Sequence, residues 1–389
     1  MSRLKIALLL NGSHDWIGGS EYFENLILAL GNLPSHRRKF DIYVISDDEL
    51  PVHLNPFVTK IYTRKDMLPI GCFERIKWKI IRYFSNDKNS FFESFLKKEK
   101  IDFLYPYTNL DNRTKPYRSS AWITDFQHKH LPDNFTSSEL ESRDEDFSNI
   151  ARSAERVILS SKMAEADCHQ FYPNSRGKTG VMSFRVVPLP EWYEGNPIET
   201  QKKYNLPDKF FIVSNQFWLH KNHFLIFKAL QLMKDRSIFP TIICTGHIHD
   251  YRCPEYSDTV LSSIHKYDIS QQVIILGLIP KTDQIQLIRR SIAIIQPSLF
   301  EGWSTIIENG RCLGKPIILS DFPVHKEQNP PNSMYFERNS AEQLAECIEK
   351  YWSTFPIGPD LEREKGAFLK QQEYVSDYGK SFLKINQLV

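Results

Sequence analysis

The chain has 389 residues, 41% of them hydrophobic and 25% charged, which excludes wholesale disorder and predicts two domains of roughly 150–200 residues each. The 49 basic and 47 acidic residues leave a net charge of +2, so no global field favours nucleic acid as a partner. Six scattered cysteines without a C-x-x-C pair are typical of reduced thiols. No segment has the ~18 apolar residues of a membrane-spanning helix, and we expect a cytoplasmic protein.

The first half of the chain alternates short apolar segments with helical patterns. Strands are predicted at residues 5–10, 40–45, 101–104, 121–123 and 156–159, with a polar loop at 11–19 and a helix starting at Ser20. Such alternation predicts a parallel sheet covered by helices. No G-x-G-x-x-G follows the first strand, so the dinucleotide-binding fingerprint is missing.

A proline-rich stretch at residues 187–208 is predicted to be a linker, and a second alternating series follows it. Its predicted strands are 210–213, 241–244, 273–276, 292–295 and 316–319, and its predicted helices are 224–233, 283–290 and 305–313. We therefore expect an α/β fold with two doubly wound, Rossmann-like domains facing a cleft. Ligands of such sheets bind at the carboxyl ends of the strands.

Residues 296–305 join a predicted strand to a predicted helix and are a candidate phosphate-binding turn. Thr305 and Glu308 have the spacing of a capping box, so the helix is expected to begin there. The free N–H groups of Trp303, Ser304 and Thr305, beside Gly302, would then favour an anion. The alternative is an ordinary strand-to-helix turn.

The same segment carries a family resemblance. Residues 300–321, FEGWSTIIENGRCLGKPIILSD, resemble the E-G-x(6)-E…G-x-P segment of the large retaining E-x7-E glycosyltransferase family, which has the GT-B fold and includes bacterial mannosyltransferases (group 1, family 4). The resemblance implies that Glu301 contacts the donor sugar and that the amides of residues 302–305 hold the diphosphate. Asn309 stands where the family has its ribose-binding glutamate; it can accept a hydroxyl hydrogen without charge-assisted strength. Glu308 is interpreted as the capping partner of Thr305.

Further motifs resemble the same family. Residues 214–223 are similar to its G-R-x(4)-K segment, with Lys221 at the lysine and Gln216 replacing the arginine, which implies a diphosphate site with one charge fewer. Gly18 and Gly19 resemble a loop that faces the donor, which makes Gly19 a candidate diphosphate contact; alternatively they form a turn before a capped helix. Residues 276–280 resemble the loop that lines the base pocket.

The segment at residues 122–132 resembles the family's stretch with a histidine near the reacting centre. His128 is the better match and His130 the second. Asp144 and Asp146 form a D-x-D pattern, which we interpret as a solvated helix face, so no metal or other cofactor is expected. Residues 73–84 are a basic amphipathic stretch, either resting on the inner face of a membrane or packed on the core.

The predicted function is metal-independent transfer of a sugar, with retention, from a nucleoside-diphosphate sugar to a hydroxyl of a glycan or lipid-linked acceptor, in glycan or surface polysaccharide synthesis. Residues 1–195 would form the acceptor-side domain and 203–367 the donor domain. The resemblance also implies that a last helix at about 368–389 packs back on the first domain. Two alternatives are a nucleotide-sugar epimerase of the same fold and an inactive donor-binding subunit.

Overall fold

A computed structural model describes residues 3–10, 17–67, 90–108, 115–250 and 252–388. The predicted amphipathic segment at 73–84, and Gly12 in the first polar loop, lie outside the described residues. In the part of the chain that is described, no helix combines the length and apolar character needed to cross a membrane.

The described residues of the N-terminal half form eight short strands in two parallel sheets. The strands are β1 Leu4–Leu9, β2 Phe40–Ile45, β3 Lys60–Tyr62, β4 Phe103–Tyr105, β5 Arg118–Ser119, β6 Ala121–Ile123, β7 Val157–Leu159 and β8 Thr179–Val181. One sheet has the order β3-β2-β1-β4-β5 and the other β6-β7-β8. Most of their residues are buried, as expected for parallel strands covered on both faces.

The C-terminal half is built on one parallel six-stranded sheet. Its strands are β9 Phe211–Ser214, β10 Ile242–Thr245, β11 Val273–Gly277, β12 Ile294–Gln296, β13 Ile317–Ser320 and β14 Ser333–Phe336. They are ordered β11-β10-β9-β12-β13-β14. The chain winds outwards from β9 in one direction and then returns to start again at β12, so the switch between the two directions lies between β9 and β12. This is the strand order of a Rossmann-like domain.

Helices connect the strands of both halves. In the N-terminal half they are α1 Ile17–Gly31, α2 Arg64–Met67, α3 Ser90–Glu99, α4 Gln127–His130, α5 Ser137–Ser153 and α6 Lys162–Phe171. From the connection onwards they are α7 Glu191–Glu194, α8 Pro197–Lys203, α9 His223–Asp235, α10 Glu255–Lys266, α11 Lys281–Arg290, α12 Thr305–Cys312, α13 Pro323–Gln328, α14 Ala341–Thr354 and α15 Leu361–Ile385.

The α/β fold class is confirmed, and every strand predicted from the sequence is present within two residues of its expected ends. The linker prediction at 187–208 is wrong in part, because this stretch contains α7 and α8. Asn196 caps α8 by accepting from the amides of Ile198 and Glu199 at 3.1 and 3.3 Å, and Gln201 accepts from Arg290 Nε of α11 at 2.5 Å. Helix α1 also begins three residues before the predicted Ser20.

The long helix α15 contacts both halves. At its start, Glu364 receives two hydrogen bonds from the buried Arg289 of α11, at 2.8 and 2.9 Å. Near its end, the Phe382 ring packs edge-on against Phe103 and Tyr105 of β4, with centroids 6.0 and 5.2 Å away. The helix therefore attaches the C-terminal half to the first sheet.

We expect Glu364→Ala to lower the free energy of unfolding by about 3 kcal/mol, because it leaves the buried Arg289 guanidinium without its carboxylate. Glu362→Ala is the matched control, since Glu362 is an exposed glutamate of the same helix. Urea unfolding followed by circular dichroism measures both. Equal transition midpoints for the two variants would contradict a stabilising role for this pair.

Candidate active site

Two predicted site residues, 80 positions apart in the chain, meet at the switch point of the six-stranded sheet, between β9 and β12. Lys221 follows β9 and Glu301 follows β12, and Lys221 Nζ lies 2.7 Å from Glu301 Oε1. Glu301 is only 8% exposed, and its Oε1 also accepts a hydrogen bond from Gln296 Nε2 at 2.7 Å. Ligands of doubly wound sheets bind in the crevice outside this point, so the ion pair marks the candidate active site.

The loop after β9 is shaped to hold Lys221 in place. A 3₁₀ turn, Leu219–Lys221, is ended by Asn222 in the left-handed conformation, with φ of 57°. The Asn222 side chain donates to the carbonyl of Pro297 at 3.4 Å, and His220 O accepts from the Leu299 amide at 2.8 Å. These bonds tie the β9 loop to the β12 loop, so Lys221 and Glu301 are positioned together.

Three buried histidines surround the ion pair. Burial holds the pKa of His220 well below its usual value, lowers that of His223 to about 3 and lowers that of His325 to about 4. The positive charge of Lys221 adds to the shift in each case. His223 stacks flat on Phe217 with a centroid distance of 4.1 Å, and both its ring nitrogens lack a partner among the described residues. These three histidines are therefore neutral at pH 7.

The start of helix α12 differs from the predicted capping box. Ser304 is the N-cap and makes no side-chain cap bond, while its amide already donates to Gln328 Oε1 at 3.1 Å. Glu308 does not reach back to Thr305; it is fully buried and pairs with Arg185 Nη1 at 3.0 Å. The capping assignment is wrong because a buried carboxylate is better satisfied by two arginines, Arg185 and Arg311, than by one amide.

Gly302 lies at a close approach between the two halves. A Cβ atom on Gly302 would lie 2.7 Å from the carbonyl oxygen of Thr124 and 3.0 Å from Asp125 Cβ, both in the loop after β6. The absence of a side chain therefore serves the contact with this loop, whereas the sequence suggested approach to a diphosphate.

Beside this contact lies a small pocket, which we call the cleft pocket. Its empty space amounts to about 140 Å³, counted with the solvent at its mouth. Residues from both halves line it: Asp125, Phe126, Ser161, Met163, Ala164, Asp167, Phe300, Glu301, Gly302 and Val324. The lining combines carboxylates, a hydroxyl and apolar side chains, in a space well below the ~300–1,000 Å³ that is typical of ligand pockets.

The two candidate histidines occupy different environments. His128, the better sequence match, is 2% exposed, bonds through Nε2 to Asp144 Oδ1 at 3.0 Å and does not line the cleft pocket. Burial lowers its pKa. His130 instead bonds to Asp167 Oδ2 at 2.8 Å, and its ring lies 5.3 Å from that of Phe300, next to Glu301. Neither histidine lines the cleft pocket itself, but His130 contacts Asp167 and Phe300, which do.

Asp144, the first residue of the D-x-D pattern, is more than part of a solvated surface. It lies in helix α5, as predicted, and accepts from His128, from Lys129 and from the Tyr172 hydroxyl, the last at 2.7 Å. Asp146 is exposed. Within the described ranges, no group of three or more acidic, histidine or cysteine side chains could hold a metal ion.

The remaining predicted residues surround the site less closely. Asn309 is 2% exposed, and its Oδ1 has no hydrogen-bond partner in the described part of the chain. Gln216 is half-buried in the loop after β9. Gly19 lies in the first turn of α1, two residues before Glu21, which pairs with Lys281 of α11 at 2.8 Å. Lys281 directly follows the 276–280 loop, in which Gly277 has a φ of 69°.

Sequence reasoning missed several residues that complete this region. Asp125, Asp167, Gln296, Gln328 and Arg185 contact the predicted residues directly or through one hydrogen bond. Asp125 and Gln296 stand just after or at the end of a strand, and that position is the signal that could have found them. The others belong to no motif.

Comparisons with known proteins agree with this fold. The family model described as glycosyl transferases group 1 matches residues 197–354. A glycosyltransferase from Rickettsia africae has a TM-score of 0.68 and 16% identity over 100% of this chain and 98% of its own. Anabaena HepE, in complex with UDP and glucose, has a TM-score of 0.62 and 16% identity over 99% and 98%. Sucrose-phosphate synthase from Thermosynechococcus elongatus has a TM-score of 0.64 and 14% identity over 99% and 98%.

The structural neighbours have the GT-B glycosyltransferase fold, and this chain has that fold. At such low identities the likeness establishes the fold alone. No curated protein matches the sequence. The family match covers less than half of the chain, but it contains both Lys221 and Glu301. Fold and family match together support the class of glycosyltransferases.

We expect the protein to lose stability in acid through its buried histidines. The pKa of His223 is about 3 in the folded state and ~6.5 when unfolded, so the unfolded state takes up the proton first as the pH falls below 6.5. Each such histidine then lowers the free energy of unfolding by up to about 1.4 kcal/mol for every pH unit. Towards the residues that the structure describes, the side chain of His223 makes no hydrogen bond that His223→Phe would lose. In this variant the free energy of unfolding should fall less steeply between pH 6.5 and 4.5, by up to about 1.4 kcal/mol for every pH unit.

Urea unfolding at pH 6.5, 5.5 and 4.5 measures this slope. His249→Phe is the control, because His249 is an exposed histidine of the same half. An unchanged slope in His223→Phe would show that this histidine is not the acid-sensitive group.

Proposed function

We propose that the protein transfers a sugar from a nucleoside-diphosphate sugar to a hydroxyl acceptor, with retention at the anomeric carbon and without a metal ion. The observation that carries the proposal is the Lys221–Glu301 pair at the switch point between β9 and β12. The group 1 match over residues 197–354 supports the donor class. The Anabaena neighbour with UDP and glucose has the same fold.

In this proposal the two partners of the ion pair bind different parts of the donor. Lys221 acts as a point charge for the leaving diphosphate, together with the amides of Gly302, Trp303 and Thr305. Glu301 accepts hydrogen bonds from the donor sugar hydroxyls. The opposite charges of Lys221 and Glu301 hold the two side chains together at 2.7 Å, and in this proposal a phosphate displaces part of that contact.

Asn309 is proposed to bind the ribose. Its buried Oδ1 lacks a partner, and a buried acceptor without a donor is costly, so a ribose hydroxyl would satisfy it. Gln216 would contact the diphosphate as a neutral donor.

On the acceptor side, His130 takes the place assigned to His128. Asp167, which lines the cleft pocket, bonds to the His130 ring, and we propose that a hydroxyl of a glycan or lipid-linked acceptor enters beside this pair. Synthesis of a glycan or surface polysaccharide on the cytoplasmic side of a membrane, touched through residues 73–84, is the setting we propose.

A second candidate function follows from the two uncharged replacements. Gln216 and Asn309 stand where the family that this chain resembles has charged side chains. The loss of both charges is compatible with an inactive subunit that only binds the donor. Such a subunit would bind a nucleoside diphosphate and transfer nothing, so release of nucleoside diphosphate that depends on an acceptor would exclude it.

We expect Lys221→Ala to lower turnover by about a hundredfold, because the leaving diphosphate loses its only side-chain cation in the proposed mechanism. A thermal-shift panel of nucleoside diphosphates first identifies the base, since the right nucleotide raises stability by mass action. Nucleoside diphosphate release from the matching sugar donors is then measured. Lys228→Ala, an exposed lysine of the adjacent helix α9, is the control. Wild-type turnover in Lys221→Ala would overturn the assignment.

We expect Asn309→Ala to weaken binding of the matching nucleoside diphosphate by about fivefold to tenfold, the value of one hydrogen bond. Inorganic pyrophosphate carries no ribose, so its affinity should stay unchanged in Asn309→Ala and fall in Lys221→Ala. Calorimetric titration of both ligands gives the comparison. A parallel loss for both ligands in Asn309→Ala would place the asparagine outside a ribose site.

A further inference from the structure

Glu308 of α12 is a completely buried carboxylate held by residues from both halves. Arg185 Nη1, from the segment after β8, lies 3.1 and 3.0 Å from its two oxygens. Arg311 Nε, one helical turn on, lies 3.2 Å from Oε2, and Gln328 Nε2 lies 3.0 Å from Oε1. A buried carboxylate is stable only with such partners. Because Arg185, Arg311 and Gln328 share the two oxygens of Glu308, the position of Arg185 affects the other two contacts.

Gln328 links this carboxylate to the start of α12. Its Oε1 accepts from the Ser304 amide at 3.1 Å, and its Nε2 donates to the Ser304 carbonyl at 3.0 Å. Arg311 also donates to the Gln328 carbonyl. Gln328 is 2% exposed, so its amide has no water to replace these bonds. The orientation of Gln328 therefore depends on Glu308, and the backbone at Ser304 depends on Gln328.

The same chain of contacts ends at the ion pair of the site. Ser304 Oγ lies 3.1 Å from Gln296 Nε2, which donates to Glu301 Oε1 at 2.7 Å. Lys221 Nζ bonds to that same oxygen at 2.7 Å. A continuous network of polar contacts thus runs from Arg185 in the N-terminal half to Lys221 in the C-terminal half.

Arg185 is itself fixed by aromatic rings and by its neighbour in the chain. Its guanidinium lies 5.8 Å from the ring centroid of Trp303 and 5.0 Å from that of Tyr374 on α15. The carbonyl of Phe184 accepts from Trp303 Nε1 at 3.0 Å. Residues 184 and 185 therefore contact the loop at 301–305, which we call the donor loop, from outside its own half.

We propose that Arg185 is a positioning residue that orders the donor loop from the N-terminal half, through Glu308, Gln328 and Ser304. This inference rests on the proposed function, because it assigns the donor loop to diphosphate binding. Without Arg185, Glu308 keeps only Arg311 and Gln328, its second charge partner is gone, and the Gln328–Ser304 bonds lose their fixed geometry. The donor loop then samples conformations in which its amides and Glu301 no longer converge.

Amide hydrogen exchange of the full chain, read by mass spectrometry, tests the proposal without a substrate. We expect Arg185→Met to raise exchange about tenfold in the peptide spanning residues 299–306, with little change elsewhere. Arg185→Lys keeps a cation near Glu308 and should restore most of the protection. Arg118→Met is the matched control, because Arg118 joins the N-terminal half to the end of α15, through the carbonyls of Asn386 and Gln387, and does not contact Glu308.

Two results would overturn the proposal. One is unchanged exchange at 299–306 in Arg185→Met. The other is a rise spread over the whole chain that Arg185→Lys fails to reverse, which would indicate a general contribution to stability. Repeating the experiment with inorganic pyrophosphate separates diphosphate binding at the donor loop from the positioning role of Arg185. If the wild-type protein gains no protection from exchange at residues 299–306, the diphosphate site is refuted. The comparison of the variants without ligand still decides the role of Arg185.

Discussion

The buried contact between Lys221 and Glu301 is the interaction on which the rest of the site depends. Two opposite charges are tolerated at a largely buried position only when they are close and hydrogen-bonded. Here Lys221 Nζ and Glu301 Oε1 are 2.7 Å apart, and Gln296 donates a further hydrogen bond to Glu301. This requirement sets the conformation of both loops. The surrounding histidines are neutral mainly because they are buried, and the positive charge of Lys221 adds to that effect.

The contact between the halves is organised around the same point. Gly302 lets the loop after β6 approach, Trp303 bonds to the Phe184 carbonyl, and Glu308 pairs with Arg185. Further away, α15 spans the halves between Glu364 and Phe382. The donor loop thus has contacts in both halves. A change in the relative position of the halves would therefore alter the surroundings of the Lys221–Glu301 ion pair.

Much of the fold could be predicted from local patterns, because buried parallel strands are nearly continuous apolar runs and the helices between them keep their own period. The strands β3, β5, β8 and β14 and the helix α8 were missed, because strands of two to four residues and a proline-started helix carry little periodic signal. In the site, Lys221 and Glu301 were predicted from motifs, while Arg185 and Gln328 were not, since their partners are far away in the chain.

The sequence by itself therefore determined most of the strands, the α/β class and the two motif segments that follow β9 and β12. Only the tertiary structure decided which neighbours those segments have. Glu308 has the spacing of a capping residue, yet packing buries it beside Arg185; His128 matches a motif better, yet His130 reaches Phe300. Spacing along the chain fixes which residues are local neighbours, whereas burial and charge pairing across the cleft select the contacts that form.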